Sequence, residues 1–218
     1  MVFRAMSKEP AKRELKQERS ARTRVDILEA AITLFAKRGF LATTMADLAR
    51  AIRMTPGALY WHFPTKEDLL LAAIDELHQR YQTAFGDLIN EYRTLSAREQ
   101  LQAFTRRTHH FLGSNREYGI FFGMLAAEAA DSNERVAEAI REKLGLYAKV
   151  LGGILRHGQK TGEFRQDIDT EQAAHGVFGG YLGALMYQNL FRATLGYDPL
   201  ASALDLLLTD GTLARTKP

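Results

Sequence analysis

The sequence predicts an all-α fold, and three observations lead to that prediction. Apolar residues recur at steps of three and four residues from Arg22 onward. Residues that favour helix N-termini, such as Thr and Ser, stand in front of several of these stretches. No segment shows the alternation of apolar and polar residues that is typical of a half-buried strand.

Composition removes several classes of protein from consideration. The chain has 218 residues and no cysteine, which excludes disulfides, thiolate zinc sites and cysteine nucleophiles. It has no apolar run of about 18 residues, and its N-terminus lacks the apolar centre of a signal peptide. We therefore expect a cytoplasmic protein that has no membrane partner.

Positive charge is concentrated at the N-terminal end. Residues 1–66 carry 13 Lys and Arg and 6 Asp and Glu, a formal charge of +7, whereas residues 67–218 have a formal charge of −4. A basic end on a mildly acidic body indicates contact with a polyanion. A solvated tail is the alternative, because 6 of these 13 cations lie in residues 1–20, which we expect to form a flexible basic arm.

Three consecutive helices are predicted in the N-terminal third. The first begins at Arg22 and ends before Gly39, a residue that tolerates a positive φ. Thr44 is the expected N-cap of the second helix, and Asp47 three residues later completes a pattern like a capping box. Thr55 is the expected N-cap of the third helix.

The third of these helices has a composition that packing alone does not explain. Pro56 suits its first turn, because a missing N–H costs nothing there. Leu59 and Phe63 lie one turn apart and face inward, which leaves Tyr60 and Trp61 free to face outward. Three short helices with a tight turn before the third are typical of a helix-turn-helix module, whose third helix enters the DNA major groove.

DNA contacts follow from this placement. Gly57 allows the backbone to approach closely, the Ala58 methyl group suits a thymine methyl group, and the Tyr60 hydroxyl can donate to a phosphate oxygen. The N-terminus of the second helix and Lys66 at the start of the fourth are expected to hold phosphates. The predicted DNA-binding residues are Thr44, Arg53, Thr55, Pro56, Gly57, Ala58, Tyr60, Trp61, His62 and Lys66.

This N-terminal region resembles the TetR family of bacterial repressors. The family module contains the pattern xxLYxHFxxKxxL, and the chain reads AIRMTPGALYWHFPTKEDLL over residues 51–70. The matching positions are Leu59, Tyr60, His62, Phe63, Lys66 and Leu69, with Gly39 upstream. The resemblance implies a helix-turn-helix DNA-binding domain over residues 21–66, followed by a helical ligand-binding and dimerisation domain over residues 67–218.

Two places depart from the family pattern. Arg53 and Met54 replace the usual Gly-Val of the turn between the second and third helices. A positive φ at Arg53 would cost about 1 kcal/mol relative to glycine. Ala46 lies where some members have a long side chain that reads a base, so their base contact from the second helix has no counterpart at this position.

Small residues in the C-terminal third predict a dimer interface. Four glycines form a face that allows close approach of a second helix, and the final helix is apolar. Together they predict a four-helix interface across a two-fold axis. The predicted interface residues are Gly176, Gly179, Gly180, Gly183, Leu204, Leu207 and Leu208. The alternative is that these helices pack within one subunit.

Aromatic residues and isolated polar residues in the middle of the chain predict a small-molecule site. Aromatic walls with a few polar groups suit a largely apolar ligand. Glu128 and His110 are the strongest polar candidates, because buried polar groups need partners. The predicted ligand-binding residues are His110, Phe111, Tyr118, Phe121, Phe122, Met124, Glu128, Tyr147 and Tyr181. Plain core packing is the alternative for each of these residues.

The expected function is that of a ligand-responsive DNA-binding transcriptional regulator. Such a protein binds a palindromic operator as a homodimer, acts as a repressor, and leaves the DNA when an effector binds. An architectural DNA-binding or protein-interaction module without an effector is one alternative, and an all-helical enzyme is the other. The enzyme is disfavoured because no nucleophile–base pair, phosphate loop or metal-binding histidine spacing stands out. We expect no metal and no cofactor.

Overall fold

Helices form every regular element in the part of the chain that the computed structural model describes, which is residues 9–86, 92, 94–129 and 133–191. They are α1 (Glu9–Arg38), α2 (Met45–Ala51), α3 (Pro56–His62), α4 (Lys66–Phe85), α5 (Ala97–Ser114), α6 (Arg116–Ala129), α7 (Glu134–Thr161) and α8 (Thr170–Phe191). The predicted all-α fold is confirmed. None of the described helices is both long enough and apolar enough to cross a membrane.

Helix α1 begins earlier than the sequence predicts. The expectation of a flexible arm over residues 1–20 is wrong from Glu9 onward, where α1 starts. Residues 9–20 are rich in Glu, Lys, Arg, Leu, Gln and Ala, all of which favour helix. High charge does not prevent this, because charged side chains on a helix surface stay in contact with water.

Helix caps occur at the predicted positions Gly39, Thr44 and Thr55, and a further cap occurs at Thr65. Gly39 follows α1 with a φ of 81°. The Thr44 hydroxyl oxygen accepts a hydrogen bond from the backbone N–H of Asp47 at 3.1 Å, and the reciprocal bond completes the capping box. The hydroxyl oxygens of Thr55 and Thr65 each accept an N–H three residues later, at 3.2 and 3.0 Å. These caps fix where α2, α3 and α4 begin.

A shared apolar core holds α1, α2 and α3 together. Leu28, Phe35, Leu48, Leu59 and Phe63 are each at most 6% exposed. Burial of a side chain of this size contributes about 1.5–3 kcal/mol. Leu59 and Phe63 are the residues by which α3 and its C-cap join this core, as the sequence predicts.

The core continues from these helices into the C-terminal body. The ring centroid of Phe35 on α1 lies 6.4 Å from that of Phe121 on α6. Helix α4 packs against both α1 and α7, and its buried stripe includes Leu70, Ile74 and Leu77. The N-terminal helices are therefore joined to the body through packed side chains on α1 and α4.

Candidate DNA-binding surface and ligand cavity

Helix α3 has one buried side and one exposed side. Leu59 is 0% exposed and Phe63 is 2% exposed, whereas Tyr60 is 49% exposed and Trp61 is 72% exposed. Large aromatic side chains this exposed contribute little to the stability of a single chain. The predicted outward orientation of Tyr60 and Trp61 is confirmed, and it leaves both residues able to contact another molecule.

The other predicted residues of α3 also lie at the surface. Thr55, Pro56, Gly57 and Ala58 are exposed, and His62 is partly buried. A Cβ atom added at Gly57 would have no neighbour within 4 Å, so the backbone is open to a close approach there. The ring of His62 meets the ring of Trp61 edge to face, with 4.8 Å between centroids. The outer face of α3 thus has small side chains at its start and aromatic side chains at its end.

The turn before α3 has the strained backbone expected from the sequence. Arg53 is exposed and has a φ of 56°, the left-handed region that favours glycine. This conformation costs about 1 kcal/mol for a residue with a Cβ atom. The turn places the guanidinium group of Arg53 two residues before the N-cap of α3.

A second cation next to α3 comes from α1. The Arg24 guanidinium carbon lies 4.3 Å from the ring centroid of Phe63, the C-cap of α3, in a cation–π contact. Arg24 is exposed, so its charge also faces solvent. The sequence prediction missed Arg24 because 39 residues separate it from Phe63 and no local pattern links them.

Thr44, which is predicted to contact phosphate, is exposed and forms hydrogen bonds with Asp47 in this structure. Its hydroxyl donates to a carboxylate oxygen of Asp47, and its oxygen accepts from the Asp47 N–H. The hydrogen bonds from the Thr44 hydroxyl and backbone lower the pKa of Asp47 below its ordinary value. An ionised carboxylate therefore caps the N-terminus of α2 beside Thr44, and the phosphate contact of Thr44 stays a prediction.

Lys66, which is also predicted to contact phosphate, donates hydrogen bonds within the chain. Its ammonium group donates to the carbonyl oxygens of Phe40 at 2.8 Å and Thr43 at 2.9 Å. The same group lies 4.2 Å from the ring centroid of Phe40. Burial lowers the pKa of Lys66, and the nearby Glu128 carboxylate acts in the opposite direction. Lys66 thus stabilises the turn between α1 and α2.

A cavity of about 370 Å³ lies between α4 and α7. This volume is within the range of small-molecule sites in proteins. Its walls are mainly aromatic and aliphatic, and they include a histidine. The lining residues are His78, Tyr81, Gln82, Phe85, Gly86, Tyr92, Leu146, Tyr147 and Val150.

A chain of hydrogen bonds runs behind one wall of this cavity. The Tyr118 hydroxyl donates to the Tyr147 hydroxyl at 2.5 Å, and the Tyr147 hydroxyl lies 3.0 Å from Nδ1 of His78. Because the Tyr147 oxygen accepts from Tyr118, its own proton is available to His78 Nδ1, which leaves the other proton of a neutral ring on Nε2.

The pKa shifts agree with a neutral chain. Burial, with a smaller effect from the Lys143 ammonium, lowers the pKa of His78 below its ordinary value. Burial raises the pKa of Tyr147 to about 12 and that of Tyr118 well above its usual value. All three groups are thus uncharged near neutral pH.

The predicted ligand-binding residues do not converge on one pocket, and only Tyr147 of that set lines the cavity. Phe111 and Tyr118 stand behind it, in ring contact with the lining residue Tyr81. Phe121 and Phe122 are 0% exposed and form part of the core. For these two residues the core alternative is the one observed.

The remaining predicted ligand residues lie elsewhere. Glu128 does not line this cavity, and its carboxylate accepts hydrogen bonds from backbone N–H groups of the turn between α1 and α2. His110 is exposed and lines a separate polar cleft of about 690 Å³ between α4 and α5. Tyr181 is buried, and its hydroxyl lies 3.4 Å from the carbonyl oxygen of Thr108. Met124 is partly buried on α6.

Several residues that line the cavity were not predicted from the sequence, although one of them has a recognisable sequence pattern. His78 lies four residues after Ile74 and three before Tyr81, on the buried stripe of α4. A polar residue at a buried helical position needs a partner, which is a reason to single it out. Leu146 and Val150 on α7 gave no such signal, because they are ordinary apolar residues at helical spacing.

The glycine face of α8 is exposed. Gly176, Gly179, Gly180 and Gly183 are all at the surface, and a Cβ atom added at Gly176, Gly179 or Gly183 would meet nothing within 4 Å. Tyr187 and Leu190 are 47% and 76% exposed further along the helix. The predicted interface residues Leu204, Leu207 and Leu208 lie outside the described residues. Within the described ranges, no cluster of three or more possible metal ligands is found.

Comparison with known proteins gives consistent matches. Residues 27–73 match the family model of bacterial regulatory proteins of the tetR family, and residues 97–204 match that of a tetracyclin repressor-like C-terminal domain. The HTH-type transcriptional repressor KstR2 of Rhodococcus jostii is 31% identical to this chain over 155 residues. That alignment covers 69% of this chain and 72% of the relative.

Solved structures share the fold. The ketosteroid transcriptional regulator KstR2 of Mycobacterium tuberculosis superposes with a TM-score of 0.70 at 20% identity, over 88% of this chain and 96% of that chain. The transcriptional regulator FadR of Bacillus subtilis, solved in complex with stearoyl-CoA, superposes with a TM-score of 0.67 at 24% identity. The second alignment covers 85% of this chain and 97% of that chain.

Proposed function

Because the chain belongs to the TetR family of bacterial regulatory proteins, we propose that it is a cytoplasmic repressor that binds a palindromic operator as a dimer and is released by a small, largely apolar effector. The main observation behind the proposal is that α3 has one buried side and one exposed side. Leu59 and Phe63 are buried, and Trp61 is 72% exposed. The helix is thereby held to the protein on one side and offered to DNA on the other.

The DNA contacts divide into two classes. Gly57, Ala58 and Trp61 lie on the outer face of α3 and face the base edges in the major groove. Tyr60 contacts the phosphate backbone through its hydroxyl, and the guanidinium groups of Arg24 and Arg53 are further phosphate ligands. Base contacts set sequence preference, and phosphate contacts add affinity for every sequence.

Dimerisation through α8 supports recognition of a palindrome. The exposed glycines allow the α8 helix of a second copy to approach closely, and the neighbouring Tyr187 and Leu190 add apolar surface. A two-fold dimer places its two recognition helices about 34–36 Å apart, or somewhat more if the subunits splay. The operator is then two inverted half-sites on one face of the duplex.

The effector binds in the cavity between α4 and α7. Its walls favour a ligand that is mostly apolar. In the neutral His78–Tyr147 pair, the Nε2–H of His78 is left to donate one hydrogen bond. Two structural neighbours support an effector with a large apolar part, because one is a ketosteroid transcriptional regulator and the other is solved with stearoyl-CoA, whose acyl chain is hydrocarbon. His78 and Lys66 both belong to α4, about 18 Å apart along the helix. A ligand that favours another position of α4 therefore lowers DNA affinity.

Selection of bound sequences from random duplex DNA tests this function. We expect a palindrome with half-site centres about 10 base pairs apart or slightly more. The logarithm of affinity should fall with the logarithm of salt concentration by about 0.9 for each phosphate contact. Recovery of no preferred sequence would contradict the proposal and favour an architectural DNA-binding protein.

A second screen separates a regulator from an all-helical enzyme. Apolar small molecules that carry one hydrogen-bond acceptor are added to the complex of protein and selected operator. We expect some of them to release the DNA and to be recovered unchanged. Chemical conversion of such a ligand by the protein would favour the enzyme instead.

A further inference from the structure

The turn between α1 and α2, residues 39–43, receives a side chain from the C-terminal body. One carboxylate oxygen of Glu128 on α6 accepts hydrogen bonds from the backbone N–H groups of Phe40 at 2.7 Å and Leu41 at 3.1 Å. Glu128 and these amides are 87 and 88 residues apart in sequence. Charge-assisted bonds of this kind are among the stronger hydrogen bonds in proteins.

Gly39 makes room for this carboxylate. A Cβ atom at Gly39 would lie 2.0 Å from the second oxygen of Glu128, and the φ of 81° also disfavours any other residue. The close approach means that Glu128 is seated against the backbone of the turn. A side chain at residue 39 would push the Glu128 carboxylate away from its present position.

Helix α4 binds the carbonyl oxygens of the same turn. The Lys66 ammonium donates to the carbonyl oxygens of Phe40 and Thr43. The Thr43 hydroxyl is buried and donates to the carbonyl oxygen of Gly39 at 2.7 Å. Two amide protons of the turn are therefore bound by Glu128 on α6, and two of its carbonyl oxygens are bound by Lys66 on α4.

The turn leads directly into the DNA-binding helices. Thr44, the next residue, is the N-cap of α2, and α2 is joined to α3 by the tight turn at Arg53. The position of α3 relative to the body depends on where residues 39–43 are held.

We propose that Glu128 is a positioning residue for operator binding: its carboxylate fixes the turn between α1 and α2, and through α2 it fixes the recognition helix for the DNA groove. The proposal rests on the proposed function for its DNA readout. It assigns Glu128 to the DNA-binding half of the molecule, although the residue lies in the C-terminal body.

The test compares Glu128→Ala, Glu128→Gln and the control Glu117→Ala, an exposed residue on the same helix. Amide hydrogen exchange by NMR and affinity for the selected operator are measured for each. In Glu128→Ala we expect exchange at Phe40 and Leu41 to be about tenfold faster and operator affinity about tenfold weaker. Glu128→Gln keeps an acceptor oxygen but loses the charge, so its changes should be smaller than those of Glu128→Ala. Glu117→Ala should stay within about twofold of wild type.

Three outcomes would overturn the proposal. The first is wild-type operator affinity in Glu128→Ala, and the second is an equal loss in Glu128→Gln and Glu128→Ala. The third is faster exchange throughout α1, including Ile32 and Phe35, which would mark a general loss of stability. Failure of the wild-type protein to select any duplex would instead refute the proposed function, so the two failures are distinguishable.

Discussion

Aromatic residues appear twice in this molecule, on α3 and around the cavity, and the two groups have opposite environments. Tyr60 and Trp61 are 49% and 72% exposed, whereas Tyr81, Tyr118 and Tyr147 are between 3% and 8% exposed. On α3 the polar groups of the aromatic residues are left to solvent or to a partner. Around the cavity, the hydroxyl groups of Tyr118 and Tyr147 are bound to one another and to His78.

The difference shows what each group contributes. An exposed aromatic side chain stabilises its own chain little, so its value lies in contact with another molecule. A buried hydroxyl without a partner costs about 1–3 kcal/mol, so the tyrosines of the cavity wall must be paired for the fold to be stable. The two groups should therefore respond differently to the same substitutions.

The largest difference is expected for removal of a ring. Phe63→Ala removes a 2% exposed ring that anchors α3, and should lower the free energy of unfolding by about 3–5 kcal/mol. Trp61→Ala, its matched control on the outer face, should change the free energy by less than about 0.5 kcal/mol. Urea denaturation measures both. Equal destabilisation by the two substitutions would contradict the assignment of Phe63 to the buried side of α3 and of Trp61 to its exposed side.

Removal of a hydroxyl sharpens the comparison. Tyr147→Phe leaves the Tyr118 hydroxyl and His78 Nδ1 without their partner, and should cost about 1–3 kcal/mol of stability. Tyr60→Phe should leave stability unchanged and weaken binding to all DNA sequences alike. Urea denaturation and DNA-binding titrations provide the two readouts. Stability loss in Tyr60→Phe, or none in Tyr147→Phe, would reverse the assignments.

A smaller effect is expected at the turn before α3. Arg53→Gly removes the strain of a φ of 56° and should stabilise the protein by about 1 kcal/mol. The same substitution removes a guanidinium group from the DNA-binding surface, and should reduce the salt slope by about 0.9. Thermal unfolding and salt-dependent titrations measure the two changes. A stabilised variant with the wild-type salt slope would exclude Arg53 as a phosphate ligand.

The smallest effect concerns the pH dependence of the cavity wall. The pKa of His78 is lower in the folded chain than in the unfolded chain, so the unfolded chain binds the proton more readily. Stability should therefore fall as the pH drops below about 6.5, the unfolded value. His78→Gln keeps an acceptor for Tyr147, and its Tm should fall less than that of wild type between about pH 7.5 and 5.5. An identical fall in both proteins would place this pH dependence elsewhere.

The N-terminal helices could be read from the sequence because their signals are local. Thr44, Thr55 and Gly39 act on residues within four positions, and each took its predicted role as a cap. The start of α1 at Glu9 differs from the predicted flexible arm, because the helix propensity of these residues outweighs their high charge.

The rest of the site depends on contacts distant in sequence. Glu128 binds Phe40, and Arg24 lies over Phe63. No spacing rule relates such pairs, so Glu128 was expected in a pocket and Arg24 was not singled out. The cavity between α4 and α7 is likewise a property of how two helices pack, and neither helix shows it alone.

Fluorescence of Trp61 during titration with the selected operator tests the central claim most directly. Trp61 is the only tryptophan in the chain and lies on the exposed face of α3. We expect its emission to change until one duplex is bound per dimer, and to change far less with a random duplex at the same salt concentration. Tight operator binding, seen by anisotropy of labelled DNA, with unchanged Trp61 emission would show that another surface reads the DNA.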